Sequence, residues 1–129
     1  MIESDWKLFR RLRELALERF CRSILDEIGA ASVLDAKSYH ARYLDVFRLV
    51  DERNEQMAAA FDNPRRSVGI HQLALMVASG WLTDEEFLQF SEETRQIVEG
   101  LVPKRQTTAV THERRNPRPG GKTDGARQA

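Results

Sequence analysis

Between Trp6 and Ile28 the apolar residues Trp6, Phe9, Leu12, Ala16, Phe20, Ile24 and Ile28 recur every three or four positions, which places them on one stripe of a helix with ~3.6 residues per turn. The spacing predicts a helix over residues 5–28, with Ser4 as its N-cap and Gly29 as its stop. A second stripe follows, in which Tyr39, Tyr43, Val46, Val50, Met57 and Phe61 share a face, starting from a cap at Ser32 and ending at Asp62-Asn63-Pro64. At ~1.5 Å per residue the two helices reach roughly 35–40 Å, and the short link between them requires an antiparallel pair. A long helical hairpin is the expected spine.

Asn63-Pro64 can also open a helix, because Asn caps and Pro tolerates the first helical position. The third helix should run to about Ser79. Its apolar residues, Val68, Ile70, Leu73, Ala74, Leu75, Met76, Val77 and Ala78, point all round the axis, so it is expected to be the most enclosed element. Gly80 then serves as a C-terminal cap and Thr83 to Glu86 as a capping box. A short fourth helix with Phe87, Leu88 and Phe90 follows. Ser91 starts a fifth, whose Ile97, Val98 and Leu101 return to the core. Strand signals are absent. The fold class is all-α: a long antiparallel hairpin, a buried third helix, one or two short C-terminal helices and a basic tail.

The formal charge of the 129 residues sums to zero, yet residues 1–102 carry 13 basic and 18 acidic side chains while residues 103–129 carry 7 and 2. The chain therefore divides into a helical domain over 1–102 and a basic tail over 103–129. The tail holds three of the four prolines and has no Leu, Ile, Phe, Tyr or Trp. With nothing to offset an ordering entropy of ~1–2 kcal/mol per residue, it is expected to be disordered when free. No apolar run approaches the ~18 residues of a membrane helix, and the N-terminus leads into Lys7, Arg10, Arg11 and Arg13 rather than an apolar leader. A lone cysteine, Cys21, excludes an internal disulfide and fits a reducing cytoplasm.

Reactive groups are scattered. His40, His71 and His112 have no second histidine at helical spacing, so neither a metal nor a cofactor is expected. Cys21 and His40 read as boundary residues, and His71 as a packing histidine on a buried helix. Gly120-Gly121-Lys122-Thr123 resembles the end of a phosphate-binding loop, but position 116 is Asn and too few residues remain for the helix that must follow. A DNA-reading helix-turn-helix over residues 68–100 would present Asp84, Glu85, Glu86, Glu92 and Glu93 to phosphates, which is the wrong sign. The Asp51, Glu52 and Glu55 cluster is interleaved with Arg48 and Arg53, as on any solvated helix face.

Leu73 to Phe87, LALMVASGWLTDEEF, resembles the core of the short bacterial C-terminal helical domain abbreviated SHOCT. The likeness covers about fifteen residues. The family continues with a basic, leucine-rich helix, whereas this chain continues Leu88-Gln89-Phe90-Ser91-Glu92-Glu93. A helix C-cap followed by a capping box gives the same letters, so the resemblance implies a local helical hairpin and carries no function.

Association remains. Lys7, Arg10, Arg11 and Arg13 crowd the first turns of a helix, where the macrodipole disfavours positive charge. Arg65-Arg66 repeats this at the third helix. Either an internal carboxylate or an acidic partner must answer them. In the tail, Arg114 and Arg115, with Lys104, Arg105, Arg118 and Lys122, could touch phosphates weakly, without aromatics for base stacking. The leading expectation is a non-enzymatic, cytoplasmic interaction or regulatory module with a protein partner, including a second copy of itself as a homodimer. The alternative is a nucleic-acid accessory protein acting through the tail and Arg65 and Arg66, and a small enzyme ranks third.

Overall fold

A computed structural model describes residues 1–102 as five helices. These are α1 (Glu3–Ser32), α2 (Tyr39–Phe61), α3 (Arg66–Ala78), α4 (Asp84–Phe87) and α5 (Glu92–Leu101). No strand occurs among the described residues. The expected tail, including Arg114 and Arg115, lies outside them.

Several boundaries differ from the sequence expectation. Ser4 lies inside α1, and Ile2 stands at the cap position with no side-chain bond. Gly29 does not stop the helix: the strong helix formers Ala30 and Ala31 follow, and Ser32 Oγ donates to the Gly29 carbonyl at 2.9 Å. Ser38, not Ser32, caps α2 by accepting from the Ala41 amide at 3.1 Å. Asn63 sits at φ 48°, in the left-handed region that Asn tolerates, so it forms the turn while Arg65 takes the cap position of α3.

The other punctuation is as read. Gly80, at φ 79°, follows the end of α3, with its own amide donating to Val77 O at 3.1 Å and the Trp81 amide to Met76 O at 3.0 Å. That pair of bonds is a Schellman motif. It turns the chain so that the Trp81 ring packs 4.0 Å from Phe20 and 5.6 Å from Phe61, centroid to centroid. Thr83 and Glu86 form the capping box, and the Ser91 hydroxyl caps α5.

α1 and α2 run antiparallel, since Glu27 pairs with Arg53 while Phe20 stacks on Phe61. α3 packs on both, and α5 packs on α3. Phe9, Phe61, Leu73, Met76 and Val98 are the largest fully buried side chains. Phe9 and Phe61 belong to the half of the hairpin near Pro64, and Leu73, Met76 and Val98 come from the helices α3 and α5, so the core sits at that end.

This placement corrects three expectations. α3 has the densest burial, five of its 13 residues, yet it is not enclosed all round: His71 and Leu75 face solvent because neighbours cover only part of its circumference. Ile97 and Leu101 are 46% and 47% exposed, since α5 turns only Thr94 and Val98 inward. Tyr39 and Tyr43, expected on the core face of α2, are 84% and 65% exposed. The far half of the hairpin has no third helix over it.

Asp5 was not anticipated. Its carboxylate is 3% exposed and accepts from the Ser91 amide at 3.0 Å, Ser91 Oγ at 2.6 Å and Thr94 Oγ1 at 2.7 Å. Burial alone would raise its pKa, but the bonds from Ser91 and Thr94 outweigh this and hold it below the usual carboxylate value. A side chain of α1 thus completes the N-terminus of α5.

Candidate interaction surface

One side of the hairpin faces α3 and the other is open. On the α3 side, Ser23 and Glu27 of α1 and Arg53 and Gln56 of α2 line a cleft of about 700 Å³ with Leu75, Ser79 and Trp81. Counting about 100° per residue, Cys21 and Leu25 lie well round α1 from Ser23 and Glu27. Tyr43 and Phe47 lie about 140° and 180° round α2 from Gln56 and about 80° and 120° from Arg53. Antiparallel right-handed helices wind the same way across a shared face, so both stripes open on the side away from α3.

That open side carries two kinds of surface. Towards the tip it is aromatic and apolar: Leu25 is 66%, Tyr43 65% and Phe47 59% exposed. The Arg42 guanidinium lies 4.6 Å over the Tyr39 ring, so Tyr39 is partly engaged. Towards the start of α1 it is basic. Lys7, Arg10, Arg11 and Arg13 meet Glu14 and Pro64 around a shallow groove of about 470 Å³. Sequence reasoning singled out these four cations, and the fold brings them together.

They are not equivalent. Arg13 bonds Glu14 at 3.2 Å, donates to the Phe61 carbonyl at 2.5 Å and sits 5.9 Å over the Phe61 ring, so it is part of the structure. Among the described residues Lys7, Arg10 and Arg11 have no ion-pair partner. Arg66 is answered internally by Glu3 and by the Trp6 ring, 5.9 Å from its guanidinium, whereas Arg65 is exposed at the cap of α3. The acidic starts of the last two helices do not serve Lys7 to Arg13. Glu86 instead takes Arg19, through two bonds of 2.7 and 2.8 Å, while Arg19 also donates to the Trp81 carbonyl at 3.0 Å.

Glu86 has a measurable consequence. The Arg19 fork, helped by the Thr83 amide and opposed by burial, lowers its pKa to about 2. A depressed carboxylate stabilises the fold above its unfolded pKa, and that stability is lost as pH falls through the folded value. The window is from about 4.5 down to about 2. Because the Arg19 side chain is 39% exposed, solvent screening limits the contribution to roughly 1–2 kcal/mol. Arg19→Met is therefore expected to be less stable than the native chain by that amount at pH 7, and chemical denaturation should find the gap closing near pH 2. A gap independent of pH would contradict the assignment.

In the cleft beside α3 the polar side chains of Ser23, Glu27 and Arg53 bond one another or the backbone. Glu27 and Arg53 neutralise each other through bonds of 3.0 and 2.9 Å, which lower the Glu27 pKa. The Ser23 hydroxyl donates to Phe20 O at 2.8 Å. His40 is exposed, Cys21 is half-buried, and exposed His71 lies beside Leu75 and Leu101. Among the described residues no three His, Cys, Asp or Glu side chains group as metal ligands would. No helix there is long and apolar enough to cross a membrane.

The open aromatic stripe was missed at the sequence level, although a signal existed. From Tyr43 to Val50 six of eight positions are apolar, an arc too wide for one facing helix to cover.

No protein-family model, curated protein or solved structure matches the chain. The Schellman turn at Gly80 and the Thr83–Glu86 capping box account physically for the SHOCT-like letters of residues 73–87.

Proposed function

We propose that the protein is a non-enzymatic association module, an adaptor or regulatory subunit, whose working surface is the open side of the hairpin. The observation that carries this reading is the row formed by Tyr43 and Phe47 with Leu25, each more than half exposed and none under the α3 layer. Fully burying such a side chain is worth ~1.5–3 kcal/mol, so a partner covering three gains several kcal/mol. The basic groove extends the surface and suits acidic side chains at its edge.

Affinity capture from the native host tests the reading, with the full chain, a Phe47→Glu chain and an Arg10→Glu, Arg11→Glu chain compared side by side. A specific protein retained by the native chain and lost with Phe47→Glu is the expected result. Identical retention by the native and Phe47→Glu chains would refute it.

Weak phosphate contact with nucleic acid is the second reading, favoured by the gathering of Lys7, Arg10 and Arg11 near Pro64. Arg66 contributes less than the sequence suggests, being held by Glu3 and Trp6. Such binding would weaken steeply between about 50 and 200 mM salt, and salt-insensitive retention would exclude it.

A further inference from the structure

We infer that the occupant of the aromatic end of the open face is a second copy of this chain, packed α2 against α2 across a two-fold axis. The inference rests on the proposed association surface and goes beyond it by naming the partner. Two observations point to self-association.

The first is shape. Tyr39, Tyr43 and Phe47 stand at i, i+4 and i+8, one continuous ridge on α2. Ridges of this spacing interdigitate with an identical ridge at a crossing angle of about −50°, so the surface is complementary to itself. Two hairpins joined in this way make a four-helix assembly, which supplies the cover that the far half of each hairpin lacks.

The second is area. An aromatic side chain offers roughly 150–250 Å², and these three are 84%, 65% and 59% exposed. Together with Leu25 they present on the order of 400–600 Å², more than half of the ~800 Å² per partner of a standard interface.

The basic groove lies about 30 Å away along α1, so the contact does not force two cationic clusters together.

Sedimentation velocity on the full chain from about 5 to 200 µM decides the matter. The expected result is a concentration-dependent species at twice the 14.9 kDa chain mass. Phe47→Glu and, separately, Tyr43→Ser should weaken dimerisation at least tenfold with helical circular dichroism unchanged, while Lys7→Glu with Arg11→Glu should leave it intact. A 14.9 kDa particle throughout the range overturns the inference. So does a dimer insensitive to both α2 variants. A monomer that still captures a different protein through Phe47 would refute self-association and leave the association surface standing.

Discussion

Phe61→Ala is expected to lower the unfolding free energy by about 3–5 kcal/mol, the range for deleting a buried aromatic ring when its surroundings relax only partly. Phe61 is 1% exposed and ends α2 at the point where three elements meet. Its ring stacks against Phe20 at 6.1 Å and Trp81 at 5.6 Å, and the Arg13 guanidinium lies over it at 5.9 Å from the centroid. Removing the ring takes the contact from all three at once. A domain of this size has a total stability of only ~5–15 kcal/mol, so the variant should be near the limit of folding. Thermal melting followed by circular dichroism should show a fall of some 15–30 °C. A fall of a few degrees would mean that Phe61 does not sit in a closed core.

Asp5→Ala should cost about 2–4 kcal/mol, more than an ordinary surface carboxylate by a wide margin. The substitution leaves the Ser91 amide and hydroxyl and the nearly buried Thr94 hydroxyl without their acceptor. Each orphaned buried donor carries its desolvation cost of about 1–3 kcal/mol, partly recovered where water can reach it. Asp5→Asn should recover part of the loss, since one acceptor oxygen remains. The native contribution is also pH-dependent in a definite direction. Because the folded pKa lies below the ordinary value, the stabilisation holds above about 3.8 and fades as pH falls further. Denaturant melts of native and Asp5→Ala chains at pH 7 and pH 2.5 should show a large gap that narrows in acid. Equal stability at pH 7 would contradict the interhelical cap.

How much of this was legible in the sequence depends on the range of the interaction. Local signals read correctly: Gly80 as a C-cap, Thr83 with Glu86 as a capping box, Ser91 as a cap, and the hydrophobic stripe from Phe9 to Ile24 all come from residues within one or two helical turns. Gly29 was misread because a lone glycine costs a helix only about 1 kcal/mol, which its alanine neighbours can absorb. Long-range pairings were invisible. Nothing near Asp5 signals that Thr94 will meet it, and nothing near Arg19 signals Glu86, because both pairs are created by the packing of the later helices onto α1.

The candidate surface was half legible. Clustered cations at the start of α1 stand out against the helix dipole, and the fold does gather them, though it commits Arg13 to Phe61 and Arg66 to Glu3. The stripe puts Tyr39 and Tyr43 on the core face and leaves Phe47 out, because periodicity reports which residues share a face but not how far a covering helix extends. α3 has 13 residues against 30 in α1, so it cannot reach the hairpin tip. Exposure of Tyr43 and Phe47 follows from that mismatch of lengths.

Oxidative footprinting is the most direct test of a covered hairpin face. The full chain would be labelled inside its native host and, for comparison, as purified protein at high dilution. Tyr43 and Phe47 are expected to be several-fold protected in the host, while Leu88, which is 60% exposed and remote from the ridge in sequence, labels equally in both samples. Equal labelling of Tyr43 and Phe47 in the two samples would contradict the account.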